Sequence, residues 1–370
     1  MYAKFKPITN RKIKVGIVGC GRIFKKHLEA ITNNFERIEL VAICDENNDS
    51  LEKANEFIKD VCSKIKNFSN NPKRFFSYKI LLDYCSQNPN FIDLIVLATP
   101  SGLHPSQVIS AAKCGLNVMT EKPMATKWAD GLSMVKACDD AGVRLYVIKQ
   151  NRFNRTLQLL KKQIVNGRFG RIAMVTSNVF WQRPQSYYDQ DSWRGTWEFD
   201  GGALMNQASH YVDLMEWLVG PIASVNASIA TVGRNIEVED TATLNLRWRN
   251  GALGSMSVTM LTYPKNLEGS IIVLGENGSV KVGGEAVNKI EFWEFKDNHP
   301  DDKNVEINNY EVKSVYGSGH SLFYSNILDH FQGKNVDVCD GREGLKSLEL
   351  LIGAYRSARD GKNIYLPLDY

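Results

Sequence analysis

Two residues carry most of the chemistry this chain could do. Lys122 stands in Thr120-Glu121-Lys122-Pro123, just past the short apolar run Asn117–Thr120. A lysine takes up a proton near neutral pH only where burial or a nearby positive charge disfavours its ammonium form. It serves equally as a surface ammonium paired with Glu121, and these four residues alone do not choose. His210 lies one helical turn after Asn206 and three residues before Asp213, which puts all three on one helix face. That face is polar for a segment that also holds Leu214, Trp217 and Leu218. A lone histidine on an apolar helix is more often a satisfied core residue. In this company His210 reads as a second proton-handling or hydrogen-bonding group, with Asp213 orienting it or capping local backbone. No second histidine lies at ligand spacing, so no metal site is expected.

The stretch Lys12–Arg22, KIKVGIVGCGR, adds an anion site. Ile13, Val15, Ile17 and Val18 read as a buried strand, Gly19-Cys20-Gly21 as a tight turn, and His27–Ile31 as part of a helix. Such a turn aims free backbone N–H groups and the helix dipole at one spot, which is how a pyrophosphate is held. The third glycine position of G-x-G-x-x-G is Phe24, so helix–strand packing must differ there. Asp45 ends a second apolar strand, Glu39–Cys44, roughly 20 residues past the turn, where a ribose-binding carboxylate is expected. Glu46 and Asn47 follow, with no Arg to meet a 2′-phosphate, so NAD is favoured over NADP. The competing reading is that Asp45 caps the next helix.

These residues need elements to hold them. Up to about Gln150, apolar strands alternate with helices: Asp49–Lys59, Tyr78–Gln87, Ile92–Ala98, His104–Cys114, Asn117–Thr120, Lys127–Ala141 and Val143–Ile148. That pattern predicts a parallel α/β sheet over residues 1–150, a Rossmann dinucleotide-binding domain. Asp60–Arg74 is polar and reads as a surface insertion. Gly19, Asp45, Thr99 and Lys122 fall at carboxyl ends of strands, where ligands bind. Beyond Gln150 the strands come at short intervals, with hairpin signals at Asn250-Gly251 and Asn277-Gly278. Residues 151–370 are therefore expected to form an α+β domain with a large, mostly antiparallel open sheet. Helices are expected at Ser321–Gln332 and Gly344–Arg359, with room for them to pack back on the first domain.

With 370 residues, 43% hydrophobic and 23% charged, the chain has the composition of a two-domain globular protein. A net charge of +4 makes no case for nucleic acid. Seven scattered cysteines without a C-x-x-C pair predict free thiols in a reducing compartment, hence a cytoplasmic protein. No run is long enough for a membrane span. An open sheet with an apolar outer face predicts a homo-oligomer, dimer or tetramer.

The pieces GIVGCGRI (Gly16–Ile23), ICDEN (Ile43–Asn47), ATPSGLHP (Ala98–Pro105), EKPMA (Glu121–Ala125) and GGALMNQASHYVDLMEWLVG (Gly201–Gly220) together resemble the glucose–fructose oxidoreductase / inositol dehydrogenase family of NAD(P)-dependent oxidoreductases. QNRFN (Gln150–Asn154), the stretch Tyr187–Leu214 and YGSGH (Tyr316–His320) are similar to one branch, the UDP-N-acetylglucosaminuronate 3-dehydrogenases of bacterial surface-polysaccharide pathways. One departure is Asn206, where many relatives carry Asp; an amide cannot act as a general base.

The resemblance implies hydride transfer from a sugar alcohol to NAD, with Lys122 and His210 catalytic. It implies cofactor contacts from Gly19, Gly21, Arg22, Ile23, Asp45, Thr99, Pro100, Ser101, His104, Glu121, Lys122 and Asn151. The aromatic loop Trp193-Arg194-Gly195-Thr196-Trp197 with Tyr187 reads either as a packed surface loop or as a sugar-nucleotide cradle. In the second reading Arg194 meets a carboxylate or phosphate by two hydrogen bonds. Lys122, Arg152, Asn206, Gln207, His210 and His320 complete the implied substrate set, with His320 serving equally as a helix cap. The expected substrate is a UDP-sugar acid oxidised at its 3-hydroxyl, and the branch implies 2-oxoglutarate as an acceptor that reoxidises the bound cofactor. The alternatives are an inositol or other sugar dehydrogenase, and a non-enzymatic NAD-binding regulator of the same fold.

Overall fold

Strand β1 (Ile13–Val18) alternates apolar residues so completely that Ile13, Val15 and Ile17 are all shut off from water. Burying each such side chain contributes roughly 1.5–3 kcal/mol. The computed structural model describes residues 6–65, 68, 70–311, 317 and 319–369. Part of the expected insertion after Asp60, and Tyr316 and Ser318 of the YGSGH segment, lie outside the described residues.

The first unit runs to Ile148 and takes in His320–Leu345. From β1 the chain passes through α1 (Phe24–Thr32), β2 (Ile38–Cys44), α2 (Asn48–Lys64), β3 (Lys73–Phe75) and α3 (Tyr78–Gln87). It continues as β4 (Leu94–Leu97), α4 (His104–Lys113), β5 (Asn117–Thr120), α5 (Trp128–Asp140) and β6 (Leu145–Val147). The six strands pair in parallel in the order β3-β2-β1-β4-β5-β6. Strand order reverses between β1 and β4, which is where a doubly wound sheet opens a ligand crevice at its carboxyl edge. Gly19 follows β1 and Thr99 follows β4, so both stand at that reversal. Helix α2 runs past the expected Lys59 to Lys64, and β3 occupies the far end of the presumed insertion.

The second unit comprises Lys149–Gly319 and the chain from Lys346 onward. It contains α6 (Arg155–Val165), β7 (Ile172–Phe180), α7 (Gln185–Tyr188), a π-helical turn Ala203–Gln207, and α8 (Ser209–Val219). Six strands follow: β8 (Ile222–Ala230), β9 (Thr241–Trp248), β10 (Leu253–Thr259), β11 (Glu268–Gly275), β12 (Gly278–Gly283) and β13 (Lys289–Phe295). The last elements are α9 (Val305–Asn308), α10 (Gly319–Phe331), α11 (Gly341–Asp360) and β14 (Ile364–Tyr365). All of α10 beyond its first residue belongs to the first unit, and α11 begins in the first unit and ends in the second.

The second sheet has eight strands in the order β13-β12-β11-β7-β10-β9-β8-β14. Among the described residues of this sheet, only the β7–β10 pair is parallel. Hairpins fall at both Asn-Gly signals: Gly251 takes φ +93°, and Asn250 Oδ1 accepts from Ala252 N at 3.1 Å. Buried residues alternate cleanly along β9, so one face of this sheet forms the core and the other does not.

Candidate active site

In the first unit the site begins at the glycine turn. Gly19 has φ +95°, and a Cβ there would come within 2.5 Å of the Ala98 carbonyl oxygen at the end of β4. Only glycine fits that approach. A Cβ on Gly21 would meet nothing within 4 Å, so the turn has open space on its other side. Helix α1 then starts at Phe24 with Ile23 as an N-cap that makes no side-chain cap, and with no acidic residue in its first turn. Phe24, in place of the third glycine, is buried.

Asp45 is pinned beside this turn. Its Oδ2 accepts from Cys20 N at 2.7 Å and its Oδ1 from Asn47 N at 2.8 Å. The helix cap is Asn47, whose side chain accepts from Ser50 N at 2.9 Å, so Asp45 is not the cap of α2. A carboxylate has about four lone-pair positions, and those left over suit a ribose diol. An uncapped helix end, a glycine that only glycine can be, and a fixed carboxylate together fit a dinucleotide.

Thr99 Oγ1 donates to Gln107 Oε1 at 2.6 Å. Pro100 and Ser101 lead into the 3-10 turn Ser101–Leu103. His104 has a different place from the ligand contact expected of it. It is fully buried, with Nδ1 3.0 Å from the Pro123 carbonyl and Nε2 3.0 Å from the Thr99 carbonyl. It ties the Thr99 loop to the Lys122 segment. Burial pushes its pKa down against those two carbonyls.

Lys122 is half-buried, two residues past the end of β5 and before a cis Pro123. Its backbone N–H donates to Glu121 Oε2 at 3.2 Å. Glu121 itself is buried, 8% exposed. Its Oε1 faces His27 Nε2 at 3.4 Å and His320 Nε2 at 3.8 Å inside the first unit. His320, expected as a ligand contact or a helix cap, is only 3% exposed. Among the described residues no set of three or more His, Cys, Asp and Glu is arranged to hold a metal ion.

The second unit supplies the polar helix face. His210 is buried near the start of α8, and Gln150 Nε2 donates to its Nε2 at 3.2 Å. In the neutral ring this leaves the proton on Nδ1. Asp213, on the same helix, pairs with two cations and also feels the His210 charge. Its two oxygens take Arg152 Nε at 2.8 Å and the terminal nitrogen Nη2 at 2.7 Å, and Lys149 Nζ lies 3.5 Å away. Arg152, expected at the substrate, is therefore engaged bidentately in this pair. Burial raises the Asp213 pKa, but the Arg152 and Lys149 charges outweigh it and bring it down to about 2. Asn151 is buried in the 3-10 turn Gln150–Phe153, with no hydrogen-bond partner for its Oδ1. It belongs to the second unit.

The aromatic loop forms a network. Arg194 Nε donates to Asp191 Oδ2 at 2.8 Å and its Nη1 to the Tyr187 hydroxyl at 3.2 Å. The guanidinium lies 4.2 Å from the Trp193 ring centre. Gln207 Nε2 donates to the same Tyr187 hydroxyl at 3.0 Å. A surface pocket lined by Tyr188, Asp191, Arg194, Gly195, Asn235 and Glu237 opens beside this loop. Asn206 donates its amide to Asp200 Oδ1, while Asp200 Oδ2 accepts from Gly195 N. That explains the amide: a carboxylate at 206 would confront the buried Asp200.

Sequence reading missed Glu239 and Tyr355. Glu239 accepts from Leu204 N at 2.8 Å and from the Tyr355 hydroxyl at 2.9 Å, and so anchors the π-helical turn that carries Asn206 and Gln207. Glu239-Asp240 looks like an ordinary surface pair in the sequence, and Tyr355 is remote in the chain. Gly202, just before the turn, is the one local signal, since a Cβ there would overlap the Glu239 carboxylate.

The parallel sheet, its glycine turn and the pinned Asp45 define a dinucleotide-binding oxidoreductase fold. The chain belongs to the Gfo/Idh/MocA oxidoreductase family: residues 13–149 match its NAD-binding Rossmann fold and residues 161–368 its C-terminal alpha/beta domain. The WlbA dehydrogenase of Bordetella pertussis, solved in complex with NADH and UDP-GlcNAcA, is 57% identical, with a TM-score of 0.90 over 98% of this chain and 100% of that one. The Chromobacterium violaceum WlbA dehydrogenase, also solved with NADH and UDP-GlcNAcA, is 54% identical, with a TM-score of 0.89 over 98% and 99%. D-apiose dehydrogenase of Paraburkholderia graminis is 23% identical over 97% of this chain and 91% of its own length.

Proposed function

We propose that this protein oxidises the 3-hydroxyl of UDP-N-acetylglucosaminuronic acid with NAD, giving the 3-keto sugar for bacterial surface-polysaccharide synthesis. The observation that carries the reading is the 57% identity, over 98% of the chain, to a dehydrogenase solved with NADH and UDP-GlcNAcA. In the reaction the C3 hydride passes to the nicotinamide and the hydroxyl proton passes to Lys122. His210, fixed as an Nδ1–H tautomer by Gln150, hydrogen-bonds the reacting hydroxyl. Tyr187, Trp193, Arg194, Asn206 and Gln207 cradle the sugar nucleotide, and Arg194 meets the sugar carboxylate. Bound NADH is reoxidised by 2-oxoglutarate.

The enzyme works as a homo-oligomer in the cytoplasm. All seven cysteines are free thiols, as a reducing compartment requires. No helix among the described residues is long and apolar enough to cross a membrane. Leu253, Met174 and Leu274 pair across three adjacent strands and are 37–45% exposed, which suits the sheet face to a second copy of the chain.

A panel of UDP-sugars, UDP-sugar acids, inositols and free sugars, with identification of the product, tests this reading. UDP-N-acetylglucosaminuronic acid should be oxidised at C3 and preferred over its neutral parent. Turnover confined to an inositol or free sugar would overturn it.

A further inference from the structure

The turn that presents Asn206 and Gln207 has no cap of its own. The first N–H groups of a helical segment lack partners inside it, and the side chain of the preceding residue normally takes one. Here that residue is Gly202, which has no side chain to offer, and Ala203–Gln207 is wound as a π-helix. The three leading N–H groups go elsewhere. Ala203 N donates to the Glu239 carbonyl at 2.9 Å, Leu204 N to Glu239 Oε1 at 2.8 Å, and Met205 N to the Tyr355 hydroxyl at 3.3 Å. That hydroxyl in turn donates to the same Glu239 Oε1 at 2.9 Å. Glu239 lies 35 residues beyond Leu204, and Tyr355 150 beyond Met205. Together they take the place of a local cap.

The carboxyl group has one place to sit. Glu239 is buried, and a Cβ on Gly202 would overlap its Oε2. Oε1 makes both hydrogen bonds of the side chain, and Oε2 has no hydrogen-bond partner among the described residues. Tyr355 carries the hold on to the aromatic loop, since its ring meets Trp197 edge to face with centres 5.4 Å apart. Turn and loop are tied twice more. Asn206 reaches Gly195 N through Asp200, and Gln207 shares the Tyr187 hydroxyl with Arg194. A shift of the turn would therefore move both amides and slacken the hold on Arg194.

Resting on the reading of Asn206, Gln207 and Arg194 as sugar-nucleotide contacts, we propose that Glu239 and Tyr355 are positioning residues for sugar binding, which set the affinity for the UDP-sugar acid by fixing this turn against the aromatic loop. Contacts held in this way serve ground state and transition state alike. Losing them raises KM and leaves kcat nearly unchanged.

The test uses the full chain loaded with NADH, so that no turnover occurs, and titrates UDP-N-acetylglucosaminuronic acid by calorimetry. It is run near pH 6, where Glu239, pushed up to about 7 by burial, keeps its proton and glutamine is a like-for-like replacement. Y355F removes one hydroxyl and keeps the ring on Trp197; it should weaken sugar binding about fivefold. E239A removes both bonds to Oε1 and should weaken it about tenfold or more. E239Q keeps an acceptor oxygen for Leu204 N and Tyr355 and should recover most of what E239A loses. The Kd for NADH should stay within about twofold in all three, and the steady-state KM for the sugar should rise in Y355F with kcat little changed. If E239A does not fold, Y355F decides alone. Unchanged sugar affinity in Y355F, an E239Q loss equal to that of E239A, or an equal loss of NADH affinity would overturn the proposal. Wild-type protein that does not bind this sugar nucleotide would instead overturn the substrate reading on which it rests.

Discussion

Asp213 and Glu239 lie in the same unit, and each is 2% exposed, yet they meet opposite fates. Asp213 faces Arg152 and Lys149 and titrates at about 2. Glu239 faces a backbone N–H and a tyrosine hydroxyl, with Asp240 next to it, and burial pushes it up to about 7. Depth is equal, so depth does not decide charge; the neighbours do. The consequence is a division of labour. Asp213 is a permanent anion that fixes Arg152 beside the helix of His210. Glu239 is an acid that changes charge near neutral pH beneath the turn presenting Asn206 and Gln207.

The same carboxyl-to-amide exchange should therefore act in opposite directions at the two sites. Asp213→Asn leaves Arg152 and Lys149 buried without their anion. Removing one partner of a buried pair costs about 3–5 kcal/mol, read as a lower denaturant midpoint at neutral pH. An unchanged midpoint would mean that the two cations reach water by rearranging, and the contrast would fail.

Glu239→Gln should stabilise. The folded-state pKa is raised from 4.5 to about 7. The associated stability is therefore fully present below pH 4.5 and is lost as pH rises through about 7. Gln stays neutral, so above pH 7 the variant should exceed the wild type by up to about 3 kcal/mol. The two should converge near pH 4.5. Parallel stability curves across that window would remove Glu239 from its role.

A third carboxylate sharpens the comparison from the other side. Asn206→Asp replaces the amide donor to Asp200 with a second acceptor. It should cost about 1–3 kcal/mol at pH 8. The loss should shrink as pH falls, since one of two facing carboxyls then takes a proton. A loss independent of pH would point to packing instead.

These contrasts also show what can be read from a sequence. The positions of Gly19, Asp45 and Lys122 were legible because the first two follow their strands directly and the third stands two residues past its own, and strand ends converge in a parallel sheet. Asn250-Gly251 and Asn277-Gly278 were legible because turn chemistry is local. Strand β3 was not, since Lys-Arg-Phe is three residues long and has no alternation to detect. Strand β14, with two residues, escaped for the same reason. The approach of His320 and His27 to Glu121 was not legible, because the three residues lie far apart in the chain; the return of His320–Leu345 to the first unit is what the room left for the C-terminal helices allowed. The pairing of Arg152 Nε and Nη2 with Asp213 was not legible either, since the two residues are 61 apart in the chain.

The measurement that bears most directly on the function is a single-turnover assay of Lys122→Met with NAD and UDP-N-acetylglucosaminuronic acid. Single turnover is needed because slow product release could hide a change in the chemical step. Methionine keeps much of the side-chain volume and removes the base. NAD should still bind, since the glycine turn and Asp45 are untouched. Hydride transfer should slow by roughly 10²–10⁴-fold, the usual range for losing a positioned acid–base group. Unchanged hydride transfer in Lys122→Met would contradict the account and leave His210 as the residue that takes the proton.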